Sequence, residues 1–149
     1  MLSVEEALAR MLAEIQPLEV TQVPLAESLG LVLAEDVVAQ EDMPPFANSA
    51  MDGYALRSSD SRPRQGQPAR LHITGSVAAG YVAESAVMEG TAMRIMTGAP
   101  VPSGADSVIQ VELTRADGPE SEWVEILEPV APGNNIRPAG EDMRHGQTI

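Results

Sequence analysis

Residues 71–77 read LHITGSV, and short apolar runs of the same kind recur as AMRIMT at 92–97, SVIQVE at 107–112 and EWVEIL at 122–127. Each run has the length of a β-strand, and segments rich in glycine or proline separate it from the next. Most of the 12 glycines and 12 prolines of the chain lie from Pro44 onward, around these runs. The pattern predicts a small β-rich domain over this part of the chain.

The chain before Pro44 has a different pattern, which begins with a helix. Ser3 and Glu6 have the spacing of a capping box, and Pro17 ends the helical pattern. The apolar residues that recur at helical spacing are Val4, Leu8, Met11, Leu12 and Ile15. We therefore predict an amphipathic N-terminal helix, followed by extended segments at 31–33 and 37–38.

The composition excludes several classes of partner. The chain has 149 residues, with 22 acidic and 9 basic side chains and a formal net charge of −13. So acidic a protein repels a nucleic acid backbone and an anionic membrane surface. Its hydrophobic residues are dispersed, and no basic and apolar leader opens the chain. The sequence predicts a cytoplasmic protein of one or two domains, without a nucleic acid or membrane partner.

Cysteine and lysine are both absent from the chain. Without cysteine there is no disulfide, zinc–thiolate site, iron–sulfur cluster or cysteine nucleophile. Without lysine there is no Schiff-base chemistry and no P-loop lysine. His72 and His145 are isolated in sequence, and neither is given a role. The candidate functional groups that remain are the carboxylates, the hydroxyls and the arginines.

Three loops carry such residues. PPFANSAMDGYA at 44–55 places one carboxylate, Asp52, beside a glycine, and RIMTGAPVP at 94–102 has a Thr-Gly turn. GNNIRPAGED at 133–142 sets an arginine near an acidic pair. The hydroxyl and backbone N–H groups of such turns suit an anion. An ordinary Asp-Gly turn, a strand end and a solvated charged turn fit the same patterns, so spacing alone leaves both interpretations open.

The strings PPFANSAMDGYA, RIMTGAPVP and NIRPAGEDM, in this order and spacing, closely resemble the N-terminal region of the molybdopterin molybdenumtransferases, the MoeA and gephyrin E-domain family. The resemblance covers essentially the whole chain and implies a part in molybdenum cofactor biosynthesis. Enzymes of that family take adenylylated molybdopterin and molybdate, release AMP and yield the cofactor, with Mg²⁺ assisting. The resemblance further implies a homodimer in the full-length protein and a molybdopterin adenylyltransferase upstream.

The resemblance also implies a mainly β (α+β) fold in three parts. These are an N-terminal helix at 1–22, a linker β domain made of 23–43 plus 139–149, and a β-rich inserted domain at 44–138. The C-terminal α/β catalytic domain of the family is missing from these residues, and the ending at Ile149 predicts a fragment. We expect this fragment to supply one wall of the active-site cleft and to be inactive alone.

Site residues follow from the resemblance position by position. The roles implied are catalytic for Asp52, Thr97 and Asp142, substrate-binding for Ser49, Thr97 and Arg137, and metal-binding for Asp52, Glu141 and Asp142. Because molybdate is a dianion, we expect Thr97 and turn N–H groups to orient its oxygens, and the carboxylates to hold magnesium or handle protons. Ala47 stands where the family usually has aspartate, and the effect of this change is open.

A second interpretation is a non-catalytic, acidic, β-rich module that dimerises or docks other cofactor-synthesis proteins. A scaffold needs no carboxylate near a Thr-Gly turn, whereas the transferase needs both, and this favours the transferase. A free-standing acidic metal hydrolase is weaker still, since no nucleophile or histidine ligand set accompanies the carboxylates.

Overall fold

A computed structural model describes residues 2–118 and 120–149 of the chain. The chain divides into two compact units, one ending at Val37 and the other spanning Val38–Ile149. The helix lies in the first unit, and all the strands lie in the second. The site residues named above therefore all belong to the second unit.

The first unit contains helix α1, Val4–Ala13, and a 3₁₀ helix, Leu25–Glu27. The predicted capping box is confirmed, since the Glu6 N–H donates to Ser3 Oγ at 3.1 Å and the Ser3 N–H donates to the Glu6 carboxylate at 3.0 Å. None of the described residues of this unit is buried, and 31–33 form no strand. No helix in the described parts of the chain is long and apolar enough to cross a membrane.

The second unit is built of strands and short connections. The bounds of its strands are β1 Asn48–Ser49, β2 Gly53–Leu56, β3 Ala69–Val77, β4 Thr91–Ile95, β5 Ser107–Gln110, β6 Thr114–Arg115, β7 Trp123–Ile126 and β8 Ile136–Arg137. Two further 3₁₀ helices span Ser58–Ser61 and Val111–Leu113. The predicted mainly β fold with an N-terminal helix is confirmed, and the four apolar runs correspond to β3, β4, β5 and β7.

Six strands form one mixed sheet in the order β5-β2-β4-β3-β7-β6. Neighbouring strands are antiparallel, except that β3 and β4 run parallel. Strands β1 and β8 form a separate antiparallel pair, with Asn48 opposite Arg137 and Ser49 opposite Ile136. This small pair joins the first and third of the three loops.

Apolar side chains are buried on both faces of β2, β4 and β5, whereas in β7 and the first part of β3 buried apolar residues alternate with more exposed ones. Successive residues of β2 belong to opposite faces, with Tyr54 and Leu56 in one cluster and Ala55 in the other. The other buried members of the first cluster are Ala69, Leu71, Ala92, Ile109, Val124 and Ile126. Those of the second are Val77, Val87, Met93, Ile95, Ala99 and Val108. The rigid centre of the sheet therefore carries the loops at the ends of β2 and β4.

The end of the chain returns to the segment before the sheet. Isolated bridges pair Val38 with Thr148 and Met43 with Met143, and the Gly140 N–H donates to the Pro44 carbonyl at 2.9 Å. The domain boundaries expected at 22, 43 and 138 stay a prediction.

Candidate functional site

The backbone brings the three loops together around Ser49. On one side, the Ser49 N–H donates to the Ala99 carbonyl at 3.0 Å and the Gly98 N–H donates to the Ser49 carbonyl at 2.8 Å. On the other side, the Ala50 N–H donates to the Asn135 carbonyl at 2.9 Å. Segments far apart in sequence thus meet through main-chain hydrogen bonds, which do not depend on flexible surface side chains.

Asp52 and Thr97 form the most direct side-chain contact between two of the loops. Asp52 immediately precedes β2 and Thr97 follows β4, and the antiparallel register places Gly53 opposite Ile95. The Thr97 N–H and the Thr97 hydroxyl each donate to Oδ1 of Asp52 at 2.7 Å. Among the described residues, Oδ2 of Asp52 has no hydrogen-bond partner, and the side chain is exposed. One oxygen is fixed, and the other is free to meet a ligand.

The same contacts favour the ionised form of Asp52. The hydrogen bonds from the Thr97 N–H and then the Thr97 hydroxyl lower the pKa of Asp52 below 3.8, and the nearby positive charge of Arg94 adds to this shift. Asp52 is therefore a carboxylate across the physiological pH range. Its chemistry is that of a hydrogen-bond acceptor, a base or a metal ligand, and not that of a proton donor.

Thr97→Val is expected to raise the pKa of Asp52, because it removes one of the two donors to the carboxylate. Thr97→Ser keeps the hydroxyl and serves as the matched control. Since the pKa of Asp52 is lower in the folded than in the unfolded chain, the stabilisation from this pair is present above pH 3.8 and is lost as pH falls through the lowered pKa. Titration of the Asp52 carboxyl carbon by NMR measures the shift, and an unchanged midpoint in Thr97→Val would contradict the geometry.

Ser49 lies inside the loop rather than on its surface. Its side chain is fully buried, its hydroxyl donates to the Met51 carbonyl, and it accepts from the Met51 N–H at 3.2 Å. These bonds shape the turn that leads to Asp52. The substrate-binding role of Ser49 stays a prediction, and in this arrangement its hydroxyl acts on the loop itself.

Arg137 joins the acidic pair of the third loop. Its Nε donates to Glu141 at 2.6 Å, and its Nη2 donates to both carboxylate oxygens of Asp142 at 2.8 and 2.7 Å. The hydrogen bonds to Glu141 and then to Asp142 raise the pKa of Arg137 further above its already high ordinary value. The guanidinium thus holds both carboxylates in one orientation, and all three side chains remain at least 40% exposed.

The carboxylates do not form a closed metal cage. In the described ranges, no group of three or more His, Cys, Asp or Glu side chains is arranged to hold a metal ion. Magnesium usually keeps several waters and takes only one or two protein carboxylates together with substrate phosphates. The free Oδ2 of Asp52 fits one such ligand position, whereas Glu141 and Asp142 are engaged by Arg137.

One residue of the site had no role in the sequence analysis. Arg94 opens the motif RIMTGAPVP, and the structure places it half-buried on β4, directly opposite Tyr54 on β2. It lines a small cleft together with Asp52 and Gly53. The only sequence signal was a charged residue within an otherwise apolar run, which by itself indicates nothing about its surroundings.

These elements define a β-rich region whose loops hold two sets of oriented side chains, Asp52 with Thr97 and Arg137 with its two carboxylates. The sequence from 2 to 149 matches the family model described as the MoeA N-terminal region (domain I and II), and the chain belongs to this family.

Similar proteins agree with this assignment. The chain is 42% identical over 146 residues to molybdopterin molybdenumtransferase 2 of Mycobacterium tuberculosis, covering 97% of this chain and 35% of the relative. It is 39% identical over 152 residues to the molybdopterin molybdenumtransferase of Synechococcus elongatus, covering 99% and 37%. A crystal structure of a molybdopterin biosynthesis MoeA protein from Pyrococcus horikoshii OT3 is similar, with a TM-score of 0.80 and 41% identity over 97% of this chain and 38% of that one. The chain thus spans little more than a third of the length of these relatives.

Proposed function

We propose that this chain is the N-terminal part of a molybdopterin molybdenumtransferase, which inserts molybdate into adenylylated molybdopterin with release of AMP. The observation that carries the proposal is the contact between Asp52 and Thr97, because it fixes an ionised carboxylate with one free oxygen at a cleft. The names of the similar proteins, which match nearly the whole of this chain, support transfer of molybdenum to molybdopterin, and the family resemblance implies the adenylylated substrate and the release of AMP. In the complete enzyme this region forms one wall of the active-site cleft.

In this proposal Asp52 acts on the reacting centre through its free oxygen. Direct contact between a carboxylate and molybdate would be repulsive, so Asp52 meets a magnesium ion, a bound water or a proton of the substrate. A bound magnesium ion would supply neutralisation of phosphate and molybdate charge. Asp52 itself accepts a hydrogen bond or a proton at Oδ2, while Oδ1 stays occupied by Thr97.

Thr97 in this proposal is a positioning residue. Its N–H and its hydroxyl proton both point at Asp52, so neither is available to orient an oxygen of molybdate. Arg137 positions Asp142 in the same way, because its guanidinium donates to both oxygens of that carboxylate. Each of the two carboxylates is thus oriented by a donor residue, Asp52 by Thr97 from another loop and Asp142 by Arg137 from its own loop.

The second candidate is the non-catalytic docking module. The exposed apolar side chains of the first unit favour it, because Leu18, Leu29 and Val32 are each more than 90% exposed and suit a protein partner. It does not account for the two-donor arrangement at Asp52. Docking and catalysis are compatible in a full-length transferase, because the first unit would bind another protein surface and the second unit would take part in the reaction.

The chain alone is expected neither to turn over adenylylated molybdopterin nor to bind it tightly. The family resemblance assigns the pterin nucleotide to an α/β domain, and the chain spans only 35% of its relative from Mycobacterium tuberculosis. Calorimetry with the nucleotide should give no heat of binding, while a full-length relative measured in the same buffer gives a clear isotherm. Submicromolar binding by the chain alone would contradict the proposed division of the site.

Thr97→Val in a full-length transferase that contains this chain is the direct test of the proposal. The rate of molybdenum insertion should fall, and Thr97→Ser should restore most of it. A docking module predicts no change of rate in either variant, and that result would overturn the proposed function.

A further inference from the structure

A second, larger cleft adjoins the cleft at Asp52. It has a volume of about 360 Å³, and Tyr54, Arg94, Thr114 and Arg115 lie in its wall. The smaller cleft, of about 120 Å³, reaches Asp52 and shares Arg94 with the larger one. Arg94 therefore lines both clefts, as does Val111.

The guanidinium of Arg94 is available for a ligand. Within residues 2–118 and 120–149, Arg94 has neither a side-chain hydrogen bond nor an ion pair, although its charge lowers the pKa of Asp52. In contrast, Arg57, Arg64 and Arg137 are paired with carboxylates. Removing charge from water has a cost that pairing normally offsets, and Arg94 is partly buried without such a close partner among these residues. In a chain with 22 acidic residues, carboxylate partners are plentiful.

Two other donors face the same cleft. Arg115 donates one N–H of Nη1 to Glu125 at 3.3 Å, and this leaves most of its guanidinium free. The Tyr54 hydroxyl has no hydrogen-bond partner among the described residues, and Tyr54 is held on β2 opposite Arg94. Two guanidinium forks and a phenol supply the kind of donors that a tetrahedral oxyanion binds, because its oxygens accept several charge-assisted hydrogen bonds.

We propose that Arg94 and Arg115 form a subsite for a tetrahedral oxyanion in the larger cleft, separate from the carboxylate at Asp52. The anion is either a phosphate group carried by a larger ligand or a free oxyanion such as molybdate. The charge of Asp52 keeps the anion out of the smaller cleft. This proposal rests on the proposed function, because the larger cleft adjoins the cleft at Asp52 and the anion would belong to the substrate.

Anion titration of the chain tests the subsite. Inorganic phosphate, molybdate and glycerol phosphate are added at constant ionic strength, with sodium chloride as the balancing salt, while the arginine Nε–H signals are followed by NMR. We expect saturable shifts at Arg94 and Arg115, and affinity at least about tenfold weaker in Arg94→Gln. Tighter binding of glycerol phosphate identifies the anion as part of a larger ligand, and tighter binding of molybdate identifies a free oxyanion.

Controls separate the subsite from general screening. Arg62 is exposed and lies in neither cleft, so Arg62→Gln should bind the anions as the unchanged chain does. Arg115→Gln provides a second variant, because its side chain is 70% exposed and its loss does not threaten the fold. Shifts without saturation, equal shifts at Arg62, or unchanged affinity in both Arg94→Gln and Arg115→Gln would overturn the subsite.

The anion titration and the test of the proposed function can succeed or fail separately. Specific anion binding at Arg94 together with unchanged molybdenum insertion in Thr97→Val would leave the subsite standing and overturn the proposed function. Absent anion binding together with impaired insertion in Thr97→Val would do the reverse.

Discussion

Asp52→Asn in a full-length transferase that contains this chain is expected to lower the rate of molybdenum insertion by roughly 10²–10⁴-fold, the range typical of acid–base and metal-positioning groups. The amide keeps the size of the side chain and can still accept from the Thr97 donors. It removes the negative charge and places an amide NH2 group, which donates hydrogen bonds and binds no metal ion, at the position of the free Oδ2. The loss should therefore fall on the chemical step, and thermal unfolding should change little, because the amide oxygen keeps the two hydrogen bonds from Thr97 and the side chain is exposed.

Asp36→Asn is the matched control, since Asp36 is an exposed carboxylate in the first unit. It should leave both the rate and the melting temperature unchanged. An ordinary Asp-Gly turn at Asp52 predicts the opposite pattern, with a normal rate and a lower melting temperature. That pattern in Asp52→Asn would remove Asp52 from the site.

Gly53→Ala should have the largest effect on stability. A Cβ at Gly53 would lie 1.9 Å from the Ile109 carbonyl oxygen and 2.8 Å from the Ile109 carbonyl carbon, so it meets the backbone of β5 and not a movable side chain. Strand β5, which lies at one edge of the sheet, would have to separate from β2. Overpacking of this kind lowers the free energy of unfolding by about 3 kcal/mol, which corresponds to a melting temperature about 6–12 °C lower in a chain of this size.

Gly75→Ala is the control for this prediction. Gly75 also lies in a strand, β3, but a Cβ there has no heavy atom within 4 Å. Its stability should stay the same or rise slightly, because alanine loses less conformational entropy than glycine on folding. Chemical unfolding of both variants measures the difference, and equal stabilities would show that β2 and β5 are not held at this close approach.

Much of the fold can be predicted from sequence because it depends on local patterns. The capping box of α1 and the apolar runs of β3, β4, β5 and β7 are visible without a structure. Strand β2 was missed, because its four residues follow Asp52 and the Asp-Gly pair has the composition of a turn. The stretch 58–61 was also missed as part of the core. There, Asp60 is buried and accepts from the Gly90 N–H at 3.0 Å, a partner far away in sequence.

The candidate site shows the same limit. Family resemblance selects Asp52 and Thr97, but no local pattern states that they touch. Their contact depends on the register of β2 against β4, which is a long-range property of the sheet. The availability of Arg94 is equally invisible in sequence, because it depends on which carboxylates the fold places out of its reach. Sequence patterns therefore identify the loops, and only the structure gives their mutual geometry.

A double-mutant cycle on the rate of molybdenum insertion tests most directly the claim that Thr97 acts by holding ionised Asp52. The four proteins are the unchanged transferase, Asp52→Asn, Thr97→Val and the double variant. If Thr97 works through Asp52, the double variant should insert molybdenum at the rate of Asp52→Asn alone. Losses that simply multiply in the double variant would mean that the two residues act independently, and would contradict this account of the site.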